Sequence, residues 1–144
     1  MILTDGSPNR PMKLSRHSEY ALLTLTYLAA RPGRLAPIGQ IARSLGVSHN
    51  HLMKIVPDLR KAGFVQVVRG RSGGVRLARE AVDLRLAEVI RHTERALFVP
   101  PIASYDLASP ISAAWQSATA EFMSSLERRT LADLVNSETG GSSK

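Results

Sequence analysis

The sequence predicts a mainly α-helical fold with a small β-hairpin, in which a winged helix-turn-helix is followed by a long C-terminal dimerisation helix. Two patterns predict it. The first pattern consists of three short segments whose apolar residues recur every three or four positions, as in helices. They stand directly before a glycine-rich pattern that is typical of a hairpin. A further apolar stripe follows residue 108 and continues towards residue 135, and no other segment of the chain is long enough to cover it.

The first helix is predicted in the stretch LSRHSEYALLTLTYLAA (14–30), where either Ser15 or Ser18 can serve as the N-cap. Its apolar residues are spaced i, i+3, i+7 and i+8, so they lie on one face. These residues are Tyr20, Leu23, Tyr27 and Leu28. The following RPGR (31–34) contains a proline and a glycine, which end the helix.

Two shorter helices follow, joined by a Gly-Val-Ser turn that begins at Gly46, where a helix C-terminus favours left-handed backbone. The apolar stripe of the second helix consists of Ile38, Ile41, Ala42 and Leu45. Ser48 is an N-cap candidate for the third helix, which Gly63 ends. The apolar face of the third helix consists of Leu52, Ile55, Val56, Leu59 and Ala62. Two helices, a turn and a helix with a polar start form a helix-turn-helix.

Pro57 falls inside the third helix. A proline there removes one backbone donor and clashes with the carbonyl four residues earlier, which costs about 3 kcal/mol in a straight helix. Two outcomes are open: the helix bends at Pro57, or it ends near Val56 and a new turn begins with Pro57 at its first position. We expect a bend, with base reading confined to residues 48–54.

A β-hairpin is predicted directly after the third helix. FVQVV (64–68) predicts a strand, RGRSGG (69–74) a tight turn, and VRLAR (75–79) a returning strand of alternating residues. A hairpin in this place is a wing, so residues 12–80 are predicted to form a winged helix-turn-helix domain. Residues 1–11 are expected to be a disordered leader, since they lack the order of charged and apolar residues of a signal peptide.

The remaining chain carries two helical patterns separated by a loop. LRLAEVIRHTE (84–94) predicts a fourth helix and PPIASYDLASPIS (100–112) has no period, so residues 81–108 are predicted to form a helix and an effector-region loop. Ser109 as N-cap and Pro110 at the first position open a helix predicted over 109–135. Its apolar stripe predicts an interface with a second copy of the chain. The stripe consists of Ile111, Ala114, Trp115, Ala118, Phe122 and Leu126. Residues 136–144 are expected to be a disordered tail.

The charge of the chain is +7, and it is unevenly distributed. Residues 12–79 hold twelve lysines and arginines against Glu19 and Asp58, whereas residues 80–144 hold six basic and nine acidic residues. The excess of positive charge in residues 12–79 indicates binding to a polyanion. Nucleic acid is the leading interpretation, and an anionic membrane surface is the second. No apolar run approaches the length of a membrane span, so none is predicted.

The chain has no cysteine, which excludes disulfides, thiolate metal sites and thiol nucleophiles. It also has no glycine-rich phosphate loop after a strand and no HExxH pattern, so it is not predicted to be an enzyme. His49 and His51 stand two positions apart, which points them in different directions on a helix, and no metal site is predicted there. The expected compartment is the cytoplasm.

The start of the third helix and the wing carry the side chains predicted to bind DNA. Asparagine can read adenine with two hydrogen bonds, and lysine can bind guanine or a phosphate. Arginines at a glycine-rich hairpin tip suit a narrow minor groove, where the negative potential is enhanced. The predicted DNA-binding residues are Ser48, His49, Asn50, His51, Met53, Lys54, Arg60, Arg69, Arg71 and Arg76.

Three stretches resemble the IscR/NsrR family of dimeric winged-helix transcription regulators, also written Rrf-two. They are MKLSRHSEYALLTLTYLA (12–29), VSHNHLMKIVPDLRKAGFVQVVRGRSGGVRLAR (47–79) and ERRTLADLV (127–135). The resemblance covers about residues 12–135, and the pattern is most similar to the nitric-oxide-sensing NsrR branch. The resemblance implies a C-terminal helix that crosses to the partner subunit, operator binding as a dimer and repression of nearby genes. It also implies that Ser48, Asn50, Met53, Lys54 and Arg69 face DNA.

Many members of that family hold an iron–sulfur cluster with three cysteines in the loop before the dimer helix. In this chain the resemblance places those positions at Leu97 or Phe98, at Ala103 and at Ser109, none of which can ligate a cluster. We therefore predict no cofactor. Two explanations stay open: a member that is naturally free of a cluster, with an unknown small-molecule effector or none, or a sensor whose cysteines were replaced so that it is locked in the apo form.

The sequence thus predicts a sequence-specific DNA-binding transcriptional regulator, a repressor that acts as a homodimer on a pseudo-palindromic operator in double-stranded DNA. An alternative of another class is a winged-helix protein-interaction module with little DNA binding. The positive charge of residues 12–79 favours the first.

Overall fold

The computed structural model describes residues 13–95 and 109–140. This part of the chain is mostly helical with one two-stranded hairpin, which confirms the predicted fold class. Its elements are α1 (Arg16–Ala29), α2 (Ile38–Leu45), α3 (His49–Lys61), β1 (Val65–Val68), β2 (Gly74–Leu77), a 3-10 turn (Ala81–Asp83), α4 (Leu86–Thr93), α5 (Pro110–Glu127) and α6 (Leu131–Gly140). The predicted leader and most of the predicted effector-region loop lie outside the described residues. No helix of the described part is long and apolar enough to cross a membrane.

Serine side chains begin three of these helices. Ser15, Ser48 and Ser109 each accept a hydrogen bond from the backbone N–H three residues later, at 3.2, 3.3 and 3.2 Å. Ser15, rather than Ser18, is therefore the N-cap of α1, and Pro110 stands in the first turn of α5 as predicted. At the end of α2, Gly46 has the left-handed backbone that its position predicts, with φ 66°.

The core-facing side of α1 differs from the predicted one. The buried residues of α1 are Ser18, Ala21, Thr24, Leu25, Tyr27 and Leu28. Of the predicted apolar face, Tyr20 is only half-buried and Leu23 is 44% exposed. Leu23 stands two positions from the fully buried Leu25, and with 3.6 residues per turn this places it on nearly the opposite side of the helix.

The third helix packs through its predicted face and continues past its proline. Leu52, Ile55, Val56 and Leu59 are buried in the same core as α1 and α2. α3 runs through Pro57 to Lys61 as one helix, so the alternative of a new turn beginning at Pro57 is wrong. Pro57 lies on the exposed side, where the carbonyl that loses its donor can bond to water instead.

The wing is an antiparallel hairpin that a third segment extends. Val65 lies opposite Leu77 and Val68 opposite Gly74. Ala36, just before α2, exchanges two backbone hydrogen bonds with Val75, at 2.9 and 2.8 Å. A Cβ atom on Gly74 would lie 2.7 Å from the carbonyl carbon of Ala36, so this close approach of two backbones requires glycine there.

The helix predicted over 109–135 is in fact two helices, α5 and α6, and the second continues into the region predicted as a disordered tail. Between them the chain turns back onto the segment before α4. Leu131 donates its N–H to the carbonyl of Leu84 at 2.8 Å, and Leu86 donates to Arg129 at 2.9 Å. The fully buried Leu131 then enters the main core. A tertiary contact that apolar periodicity does not encode therefore interrupts the helix.

Candidate nucleic-acid interface

The polar start of α3 lies on the surface of the protein. The exposed residues there are Ser48, His49, Asn50, Met53 and Lys54, and Met53 is 50% exposed. The four buried apolar residues on the other side fix the rotation of the helix about its axis. The predicted DNA-binding residues of this helix therefore face outward together, apart from His51.

His51 is half-buried and lies against Tyr20 of α1. The two ring centroids are 4.6 Å apart and the rings are inclined by 70°, an edge-to-face contact. The backbone N–H of His51 also donates the capping hydrogen bond to Ser48. His51 therefore helps to position the start of α3, in addition to standing among the predicted DNA contacts.

The orientation of α2 against α1 depends on Tyr27. Its hydroxyl accepts a hydrogen bond from the Gln40 side chain at 3.0 Å, and the guanidinium of Arg31 lies 3.7 Å from the centre of its ring. Hydrogen bonds from Ser44 and Gln40, followed by the charge of Arg31, hold the pKa of Tyr27 below its ordinary value although burial opposes them. These contacts join the two helices that support α3.

The wing arginines occupy two different settings. Arg69 and Arg71 are exposed in the turn between the strands. Arg76 is half-buried, and its Nε donates to the Oε1 of Gln66, directly opposite on β1, at 3.0 Å. Arg69 and Arg71 therefore project at the hairpin tip, whereas Arg76 is held along the sheet.

Acidic side chains pair with basic residues away from this surface. Both carboxylate oxygens of Glu88 accept hydrogen bonds from Arg79, at 2.8 and 3.0 Å. These bonds, against partial burial, hold the pKa of Glu88 below its ordinary value. Within the described ranges, no carboxylate lies in ion-pair distance of four basic residues predicted to bind DNA: Lys54, Arg60, Arg69 and Arg71. Their charge is therefore available to a polyanion.

Asp58, the one acidic residue of α3, is paired with two histidines. The Nε2 of His17 donates to its Oδ2 at 2.9 Å, and the Nε2 of His92 lies 3.0 Å from its Oδ1. Partial burial raises the pKa of Asp58, but the hydrogen bonds and charges of the two histidines outweigh it, so the pKa lies below its ordinary value. No spacing in the sequence marks this cluster, because its members come from α1, α3 and α4.

The apolar stripe predicted as a dimer interface divides into two parts. Ile111 is 57% exposed and Trp115 37%, and the alanines at 114 and 118 are exposed as well. Phe122 and Leu126 are half-buried and pack on a small cluster formed by Ala87, Ile90 and Met123 of the same subunit. The first part of the stripe is therefore more exposed than the second. Its role as an interface stays a prediction.

Solved structures of transcriptional regulators are similar to this chain over most of its length. T. potens IscR is 29% identical with a TM-score of 0.78, and the match covers 92% of this chain and 93% of that one. CymR (YrzC), the global cysteine regulator of B. subtilis, is 26% identical with a TM-score of 0.73 and coverage of 88% and 98%. The oxidized form of S. aureus CymR is 28% identical with a TM-score of 0.69 and coverage of 86% and 96%.

The Rrf2 family, described as "Iron-dependent Transcriptional regulator", matches residues 14–137. The donors that an iron–sulfur cluster requires are missing from this member, because the whole chain lacks cysteine. Phe98 and Ala103 lie outside the described residues, and Ser109 caps α5. In the two described ranges, no three histidine, aspartate or glutamate side chains are grouped so that they could hold a metal ion. The residues present do not fit an iron–sulfur cluster.

The family match covers most of the chain. The match with the solved structures of IscR and CymR covers 93% and 98% of those chains. The resemblance to the NsrR branch in particular stays a prediction. The chain belongs to the Rrf2 family of transcriptional regulators.

Proposed function

We propose that this DNA-binding regulator is a homodimeric repressor that recognises a pseudo-palindromic operator. The observation that carries the proposal is the combination of an outward-facing polar start of α3 with two wing-tip arginines that pair with no carboxylate among the described residues. A helix of this kind enters the major groove, and arginines on a hairpin suit the adjacent minor groove.

The exposed residues of α3 are of two kinds: some suit the bases of DNA, and others suit its phosphate backbone. Asn50 suits adenine, and Met53 can pack on a thymine methyl group because half of its side chain is exposed. Lys54 suits guanine or phosphate, and Arg60, which lies beyond residue 54, suits phosphate. Discrimination between DNA sequences then arises from the first turns of α3. Most of the salt-dependent affinity for DNA arises from the lysines and arginines.

The proposed homodimer uses the exposed start of α5. Ile111 and Trp115 stand four positions apart on this helix, so they form one apolar face. A two-fold axis through that face presents two copies of α3 to DNA, which requires operator half-sites one helical turn, or a multiple of it, apart.

We also infer that the protein regulates without an iron–sulfur cluster, since no thiolate is present. Anaerobically purified protein should be colourless at visible wavelengths and contain no stoichiometric iron. Both earlier explanations, a naturally cluster-free member and a cysteine-replaced sensor, are compatible with that result. A thermal-shift screen of small molecules separates a member with an effector from one without.

The experiment that tests DNA recognition is a selection of genomic fragments on the purified full chain, followed by fluorescence anisotropy. The recovered fragments should share an inverted repeat, and log affinity should fall linearly with log salt concentration. Undetectable binding to every fragment, together with a stoichiometric protein partner in a pull-down, would replace this proposal with the protein-interaction module.

A further inference from the structure

The four histidines of the chain form two pairs with different surroundings. His49 and His51 stand at the start of α3, among the residues predicted to bind DNA. His17 from the first turn of α1 and His92 from the last turn of α4 meet at Asp58, in the second half of α3. The second pair therefore lies partly shielded between three helices, apart from the residues predicted to bind DNA.

Asp58 is in contact with an imidazole through each of its oxygens. His17 occupies Oδ2 at 2.9 Å and His92 lies 3.0 Å from Oδ1. The ring of His92 also meets Phe64 edge-on, with centroids 5.9 Å apart, and its side chain is only 19% exposed. Because the cluster is partly shielded from solvent, a charge change within it acts more strongly than one on the open surface.

Two further hydrogen bonds join the helices that carry these histidines. The backbone N–H of Ser15 donates to Oε1 of Glu94 at 2.6 Å, and the hydroxyl of Ser18 donates to that of Thr93 at 2.6 Å. Glu94 and Arg95 are the other charged groups that line the same cleft as the Asp58 cluster. The start of α1, the end of α4 and the second half of α3 thus form one junction, directly before the segment that leads to α5.

We propose that His17, Asp58 and His92 form a proton-binding site that makes the affinity of the protein for operator DNA depend on pH. The proposal rests on the function proposed above. Protonation turns two neutral imidazoles into cations beside one carboxylate, which tightens the hold of α1 and α4 on α3. It also cancels the negative charge that Asp58 adds to the DNA-binding helix.

Histidine is the side chain whose charge ordinarily changes between about pH 5 and 8, so this is the range to test. Asp58 remains ionised throughout that range, because its pKa lies below the ordinary aspartate value. Glu94 also remains ionised. Burial raises its pKa, but hydrogen bonds from Ser18 and Ser15 and the charge of His17 outweigh burial, so its pKa lies below the ordinary value. With Asp58 and Glu94 ionised and Arg95 positive, protonating both histidines changes the net charge of the cleft from negative to positive, and operator affinity rises as pH falls.

The first test needs no DNA. The imidazole Hε1 signals of the full chain are followed by NMR from pH 5 to 8.5 in wild type and in Asp58→Asn. In the variant the His17 and His92 signals should titrate at lower pH, because the partly buried rings lose their counter-charge, while His49 and His51 keep their curves. Four unchanged curves would overturn the site.

The second test measures affinity for the selected genomic fragment at constant ionic strength between pH 6 and 8. Wild-type affinity should rise about fivefold or more towards pH 6, the lower end of typical coupling between two sites. His17→Gln/His92→Gln should lose most of that rise. His49→Gln/His51→Gln is the matched control: it removes the two histidines at the start of α3 and should retain the part of the pH dependence that comes from His17 and His92.

The two measurements separate failure of this inference from failure of the proposed function. If the NMR curves shift but the His17→Gln/His92→Gln variant keeps the full pH dependence of binding, the cluster is purely structural and the inference is wrong. If the protein binds no genomic fragment at any pH, the proposed repressor function fails and the link to operator affinity fails with it, whatever the NMR curves show.

Discussion

The ring of Tyr20 meets the imidazole of His51 edge-on, with 4.6 Å between the ring centroids. This contact joins α1 to the first turn of α3, the part of the protein predicted to read bases. Tyr20 is half-buried and does not belong to the predicted DNA-binding set. The placement of that set therefore depends on a residue behind it.

Replacing Tyr20 tests this dependence. Tyr20→Ala should lower operator affinity about three- to tenfold, since an aromatic pair contributes about 0.5–1.5 kcal/mol beyond its buried area. Tyr20→Phe keeps the ring and should bind like wild type. Anisotropy titrations with the selected fragment measure both. Equal affinities for Tyr20→Ala and wild type would show that the contact does not position α3.

Arg69 at the wing tip should contribute directly to binding. Arg69→Ala should weaken operator binding by about 1–3 kcal/mol if the guanidinium reaches a base edge, and should relax selectivity at that base pair. If it contacts only phosphate, the loss is uniform across sequences and the salt slope falls by about one. Arg128→Ala, an exposed arginine after α5, is the control and should change neither quantity.

The division of the α5 stripe predicts two different defects. Trp115→Ala should weaken dimerisation by about 2 kcal/mol or more, as expected for a tryptophan at the centre of an interface, and should leave the fold of the subunit intact. Phe122→Ala should lower the free energy of unfolding by about 2–3 kcal/mol, because its ring packs within the subunit but is only half-buried.

Sedimentation and thermal melting at one fixed protein concentration distinguish the two defects. A fixed concentration is needed because the melting temperature of a dimer depends on it. Unchanged dimers in Trp115→Ala would remove this residue from the interface.

The ion pair of Glu88 with Arg79 predicts a contribution to stability that depends on pH. The folded pKa of Glu88 lies below its value in the unfolded chain, about 4.3, so the ionised carboxylate stabilises the fold above that pH. This contribution is lost as pH falls through the lowered pKa. Glu88→Gln should therefore reduce stability at neutral pH, by at most about 1 kcal/mol since solvent screens the pair, and its difference from wild type should shrink as pH falls through the lowered pKa.

Glu121→Gln is the control for that series, because Glu121 is exposed and takes part in no ion pair among the described residues. Denaturation midpoints at several pH values give the comparison. A Glu88→Gln variant with wild-type stability at pH 7 would contradict the prediction.

Local signals predicted three of the six helix starts and the wing, since capping and turn formation involve residues a few positions apart. Ser15, Ser48 and Ser109 cap helices because their hydroxyls accept hydrogen bonds from backbone three residues later. Gly46 ends a helix because it has no side chain to oppose the left-handed backbone. The break between α5 and α6 had a local signal too. Thr130 and Asp133 exchange hydrogen bonds, at 2.8 and 3.4 Å, in the pattern that begins a helix.

Contacts between distant parts of the chain could not be predicted in this way. The side of α1 that faces the core is decided by its packing on α3 and α6. The leucines at 22, 23 and 25 are compatible with more than one buried face. The meeting of His17, Asp58 and His92 requires three helices in their final places. Local sequence patterns predicted a DNA-facing surface, whereas the shape of the packed subunit determines what lies behind it.

Backbone hydrogen bonds join Leu84 to Leu131 and Leu86 to Arg129. They bring together the two ends of the long segment between these residues, which forms a closed loop. That loop contains α4, the segment 96–108 and α5. Any rotation of α5 about a two-fold axis must be accommodated inside this closed loop or transmitted through α6 to α1. These bonds thus hold the start of α4 and the end of α5 together, while the far end of α4 contacts the DNA-binding helix, where His92 meets Asp58.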